Sequence, residues 1–135
     1  MNTELTTELT AGDVMTRKFV TVEPEDTIGE TAQKLSAADA GSALVVEFGQ
    51  LVGILTSRDV IHAIAERVHP SEGRVREWMT ANPTTITRDA LADEAARAML
   101  AGGFHHLPVT EDGRPVGMIG LRAVIGALRP WSPGF

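Results

Sequence analysis

The chain repeats itself, and nothing else in the sequence restricts its fold as strongly. Met15-Thr16 recurs as Met79-Thr80, and the same offset of 64 residues carries Val22 onto Ile86, Glu30 onto Glu94, Ala32 onto Ala96 and Leu35 onto Met99. Further on it matches Val45 with Val109, Glu47 with Glu111, Gly49 with Gly113 and Gly53 with Gly117, and it ends on Arg58-Asp59-Val60-Ile61 against Arg122-Ala123-Val124-Ile125. No gap is needed between Ala11 and Pro130. A register held that long marks a duplication, so two copies of one supersecondary unit are expected.

Each copy reads as βαββα. A β-branched stretch (Phe19 to Val22; Thr84 to Thr87) precedes a helix. The first helix carries the capping signature Thr27-x-x-Glu30, then Ile28, Thr31, Ala32 and Leu35 at helical spacing. The second begins after Asp89 and puts Leu91, Ala95 and Met99 on one face. Strands at 43–47 and 51–55 flank a tight turn at Phe48-Gly49, and strands at 107–110 and 115–119 flank Glu111-Asp112-Gly113, a hairpin signal. Closing helices at 57–65 and 121–128 are expected to turn Val60, Ile61 and Ile64, and Val124, Ile125 and Leu128, inward. One βαββα unit buries too little alone. An α+β fold follows, with two repeats packed about a pseudo-twofold axis and paired clefts between them where a small ligand could sit. The expected organisation is an extension at 1–10, repeat 1 at 11–67, a Pro/Ser/Gly linker at 68–74, repeat 2 at 75–130 and a tail at 131–135, all in one module.

Composition excludes several classes. Of the 135 residues 43% are hydrophobic and 22% charged, which is globular rather than disordered. Cysteine is absent, which removes disulfide and thiolate-metal chemistry and fits a cytoplasmic setting. A net charge of −6 with scattered arginines argues against nucleic acid. No apolar run approaches the roughly 20 residues of a membrane span, and the acidic, polar start does not read as a signal peptide. No nucleophile elbow, P-loop, zincin or dinucleotide motif occurs, and His62 and His69 lack an evident nucleophile partner, so no enzyme is expected.

Val14-Met15-Thr16, Thr21-Val22 and Gly53-Ile54-Leu55-Thr56-Ser57-Arg58-Asp59-Val60 resemble a cystathionine-beta-synthase (CBS) domain. Trp78-Met79-Thr80, Glu94-Ala95-Ala96-Arg97-Ala98-Met99, His105-His106-Leu107-Pro108-Val109 and Gly117-Met118-Ile119 resemble a second. Together they resemble a stand-alone CBS pair, or Bateman module, over residues 11–129. The resemblance implies a regulatory module, often dimeric through its helices, that binds an adenosine-containing ligand (AMP, ADP, ATP or S-adenosylmethionine) in the cleft and acts on a separate partner protein. A scaffold that keeps only dimer or partner contacts is the alternative. No catalytic cofactor or metal is implied.

The family's ribose motif, Thr or Ser followed three residues later by Asp, falls here on Thr56 and Asp59. A carboxylate can accept from both hydroxyls of a cis-diol. The helix starting at Ser57 and Arg58 offers free N–H groups and a positive dipole end to phosphate. A capping box explains the same two residues. In repeat 2 Gly120 and Ala123 replace them, so one nucleoside site per chain is expected. His105 and His106 lie in a loop that often contacts phosphate in the family, while their counterparts Gly41 and Ser42 leave space and small donors; one buried and one solvated histidine is the plainer reading. Arg58 and Arg122 hold matching helix-start positions and could pair phosphate or sit in solvent. Thr80, Pro83 and Thr84 resemble the stretch lining the base pocket, though an Asn-Pro turn accounts for them equally. The small-residue faces Ala32-Lys34-Leu35-Ala37-Ala38 and Ala95-Ala96-Met99-Ala101-Gly102-Gly103 suit close helix contact in a homodimer or within the core.

Overall fold

A computed structural model describes residues 8–128. In chain order the elements are α1 (Ala11–Val14), β1 (Val20–Val22), α2 (Ile28–Ala38), β2 (Ser42–Glu47), β3 (Gln50–Thr56), α3 (Ser57–Ala65), α4 (Val75–Trp78), β4 (Thr80–Ala81), α5 (Ala92–Gly102), β5 (His106–Glu111), β6 (Arg114–Gly120) and α6 (Leu121–Leu128). The α+β character and the duplication are both present.

The contacts divide the chain into two compact units that are not the two sequence repeats. One takes in the described residues of Met1–Arg17, then Thr85–Glu111 and the described residues of Val116–Phe135; the other is Lys18–Thr84 with Asp112–Pro115. Each unit therefore borrows its opening helix from the other repeat: α1 packs with α5 and α6, and α4 packs with α3 and β3.

The 18–84 unit holds a four-stranded sheet in the order β1-β2-β3-β4. β1 runs parallel to β2, with Val22 opposite Val45, and β2 and β3 form an antiparallel hairpin. The hairpin turns on Phe48 and Gly49, both at positive φ (53° and 79°). Such a two-residue turn matches the right-handed twist of the strands. α2 starts on the predicted capping box: the Glu30 N–H donates to the Thr27 hydroxyl at 3.0 Å and the Thr27 N–H to the Glu30 carboxylate at 2.9 Å. The Thr27 N–H, and then the Thr27 hydroxyl, which also donates to the carboxylate at 3.0 Å, hold the exposed Glu30 carboxyl below its ordinary value. The core gathers Val22, Ile28, Leu35, Ala43, Val45, Leu55, Ala63 and Val75.

The other unit repeats the pattern around Ala92, Ala95, Met99, Leu107, Val109, Ile119 and Val124. Here the expected strand over Thr84 to Thr87 shrinks to a single parallel bridge, Ile86 to Val109. The cause is Pro108. Ile86 donates to the Pro108 carbonyl and accepts from Thr110, but proline has no N–H to carry the ladder back toward Thr84. α5 also starts later than expected, with Leu91 rather than Asp89 at its N-cap.

The closing helices correct a second expectation. In α3 the buried residue is Ala63, while Ile61 is 65% and Ile64 51% exposed; in α6 Val124 is buried and Ile125 is 45% exposed. Val60 and Ala63 share one stripe three residues apart, and Ile61 and Ile64 share the next. Only the first stripe meets the core.

Candidate functional site

Thr56 ends β3 and caps α3, so strand and helix together fix where Asp59 stands. The Thr56 N–H donates to Asp59 Oδ2 at 2.8 Å, the Thr56 hydroxyl donates to the same oxygen at 3.1 Å, and the Asp59 N–H donates back to the hydroxyl at 3.2 Å. The capping box is formed in full, and both residues are half-buried. The cap bonds of Asp59 fall on Oδ2, so a further polar contact to this carboxylate falls on Oδ1.

The neighbouring residues follow from the sheet. Ser42, buried, lies opposite Thr56 in the β2–β3 register. Thr80, exposed, lies opposite Ile54, two residues before Thr56 on the same strand. The Ser57 N–H donates to the Gly41 carbonyl at 2.9 Å. Of the first three α3 N–H groups, those of Ser57 and Asp59 are thus already engaged, which narrows the anion-binding expectation for this helix start. Gly41 and Ser57 also line a cavity of about 490 Å³ with Ser36, Asp39 and Val60. Arg58 and Thr84 are exposed and Pro83 half-buried. The Asn-Pro turn is present as well, since Asn82 sits at φ 49° and donates to the Val52 carbonyl at 3.2 Å.

The equivalent place in the other unit has different chemistry. Gly120 and Ala123 supply neither cap hydroxyl nor carboxylate. The Leu121 N–H still donates to the His105 carbonyl at 2.9 Å, the counterpart of Ser57 to Gly41. His105, His106 and Arg122 line one cavity of about 530 Å³ with Gly120, Leu121 and Ile125. Burial, and then the charge of His105, holds His106 below the ordinary imidazole value of 6.5. The pocket is therefore less cationic near neutral pH than its residues alone suggest. Among the described residues no group of three or more His, Asp or Glu side chains is placed to hold a metal ion, and no helix is long and apolar enough to cross a membrane.

Two short helices, α1 and α4, go beyond the βαββα pattern that periodicity suggests. Thr10 and Asp13 form a further full capping box at the head of α1, and their Thr-x-x-Asp spacing is a signal that could have found it. Met15 and Met79 are more than markers of the repeat, since they pack against Gly117 and Gly53.

The family profile described as CBS domain matches residues 11–66 and again 75–130. Among curated proteins the chain is 32% identical over 117 residues to a 17.7 kDa protein of Acidianus ambivalens, covering 85% of this chain and 70% of that one. It is also 32% identical to CBSCBSPB3 of Arabidopsis thaliana, over 84% of this chain but only 21% of that much longer protein. Among solved structures, the CBS domain pair of protein MJ0100 in complex with 5′-methylthioadenosine and S-adenosylmethionine gives a TM-score of 0.82 at 27% identity, covering 90% and 96% of the two chains. The cytosolic domain of the Mg2+ channel MgtE in complex with ATP gives 0.76 at 34% identity, covering 88% of this chain and 48% of that one.

Proposed function

The chain belongs to the CBS-domain family as a tandem pair, and from that premise we propose that it senses an adenosine-containing ligand and transmits binding to a separate protein, without catalysis. The observation that carries this reading is the half-buried Thr56–Asp59 pair at the junction of β3 and α3. It stands in a fold whose solved relatives hold 5′-methylthioadenosine and S-adenosylmethionine, or ATP. Asp59 Oδ1 accepts the ribose hydroxyls while Oδ2 keeps the helix cap, so one carboxylate serves both roles. Gly41, Ser42, Ser57, Arg58, Thr80, Pro83 and Thr84 complete the surroundings of ribose and base, whereas His105, His106 and Arg122 line a cavity of their own unit. The ligand is AMP, ADP, ATP or S-adenosylmethionine, at one site per chain, because repeat 2 has Gly120 and Ala123 where the ribose acceptor would be. We place the protein in the cytoplasm as a homodimer.

The exposed Ile61 and Ile64 favour a second role on the same helix, contact with another copy. Asp59 at the head of α3 and these isoleucines on its outer face would tie ligand and partner to one rigid element. Isothermal titration with the four ligands tests the reading. One site per chain, lost in Asp59→Ala, is the expected result; two sites, or unchanged affinity in the variant, contradicts it.

A further inference from the structure

The hairpin tip between β2 and β3 carries a feature that folding does not require. Phe48 is 97% exposed and holds φ 53°. A bulky side chain is unusual there, since such turns favour Asn, Asp or Gly. The duplicate shows as much: the matching turn is Asp112-Gly113, at φ 51° and 80°. Phe48 and Gly49 border a cavity of about 390 Å³ whose other walls include Thr21, Glu23, Asp26 and Lys34. Lys34 is drawn across it, its ammonium donating to the Thr21 carbonyl at 3.3 Å. Asp26 Oδ2 accepts the Glu23 N–H at 2.9 Å. Two carboxylates against one tethered ammonium leave the cavity net negative, with Glu47 adjoining it in sequence. At the 64-residue offset Glu23, Asp26, Lys34 and Phe48 become Thr87, Ala90, Ala98 and Asp112. The whole set thus belongs to repeat 1 alone.

We propose that this tip docks an arginine side chain presented by a partner protein. An exposed aromatic side chain on the rim of a cavity with more carboxylate than ammonium matches a guanidinium, which stacks on a ring and hydrogen-bonds carboxylate oxygens along its edge. The net charge of −6 favours the approach of a basic partner. The site names the chemistry of the partner in the proposed function, yet it is independent of the nucleoside pocket. It lies at the other end of β3 from Thr56, about 20 Å away along a seven-residue strand.

The test is a ¹⁵N NMR titration of the full chain with an acetylated, amidated Gly-Arg-Gly-Arg-Gly peptide, set against the same peptide with glutamine for arginine. Saturating shifts at Glu23, Asp26, Glu47, Phe48 and Gly49 are expected for the arginine peptide only. Phe48→Asn, which suits the turn and keeps the fold, should weaken binding about fivefold. Glu23→Gln should weaken it too, and raising salt from about 50 mM to about 0.5 M should do the same. Asp59→Ala should leave it unchanged, which separates failure here from failure of the nucleoside reading. Shifts scattered over other acidic groups, equal response to the glutamine peptide, or full binding by Phe48→Asn would overturn the proposal. So would a fall in oligomeric mass caused by Phe48→Asn, which would assign the tip to a second copy.

Discussion

Met79 lies against Gly53, so that a side-chain carbon added at Gly53 would collide with the Met79 thioether and approach the Thr80 carbonyl at 3.1 Å. Met15 meets Gly117 in the same way. The two contacts explain why a Met-Thr pair and a strand glycine recur together at the 64-residue offset. In each case the methionine comes from the repeat opposite the glycine, and the threonine after it pairs across the strand: Thr80 with Ile54, Thr16 with Met118. Gly53→Ala should therefore destabilise the protein by about 1–3 kcal/mol through overpacking. Urea denaturation checks this, and adding Met79→Ala to Gly53→Ala should recover part of the loss. Strictly additive effects would mean that the pair is not coupled.

The cap at α3 can be separated from the ligand contact. Thr56→Ala removes the hydroxyl that accepts the Asp59 N–H and should cost about 1 kcal/mol of stability without ligand. Thr56→Ser should cost much less and keep ligand affinity. Thermal unfolding of the two variants compares them.

The repeats are legible in the sequence because their signals are local. The Thr27–Glu30 box, the turn at Phe48-Gly49 and the bounds of α3 each depend on a few neighbouring residues, and each stands where those residues put it. What escapes the sequence depends on distant partners. The Thr84 to Thr87 stretch has strand propensity, but Pro108, more than twenty residues on, decides how much of it can pair. Two apolar pairs in α3, Val60 with Ala63 and Ile61 with Ile64, offer two stripes, and the core selects the first. Exchange of α1 and α4 between the repeats leaves no trace in hydrophobic periodicity. At the site, spacing alone marks Thr56 and Asp59, whereas the engagement of the Ser57 N–H by Gly41 exists only in the folded loop.

His106 gives a pH dependence with a definite sign. Its folded-state value is lowered, first by burial and then by His105, so the neutral ring is the form the native state favours. As pH falls through the ordinary value of 6.5, the unfolded chain takes up a proton before the folded one does. Stability should then decline from pH 7 toward pH 5. His106→Gln should flatten that part of the profile, measured as melting temperature against pH; an unchanged slope would show that the acid loss arises elsewhere.

Exposed Ile61 and Ile64 should hold two copies together. Light scattering should report twice the chain mass of 14.4 kDa, and the double variant Ile61→Lys, Ile64→Lys should return it to a single chain with the fold intact. A wild-type protein that stays at 14.4 kDa at high concentration would contradict the dimer.

Ligand-dependent thermal unfolding tests the central claim most directly. At about 100 times its dissociation constant, a ligand that binds only the folded chain adds roughly 2.7 kcal/mol, on the order of 10 °C for a domain of this size. A shift of that order with AMP, ADP, ATP or S-adenosylmethionine, abolished in Asp59→Ala, is the predicted result. No shift with any of the four, or the same shift in Asp59→Ala, would contradict a nucleoside site at Thr56 and Asp59.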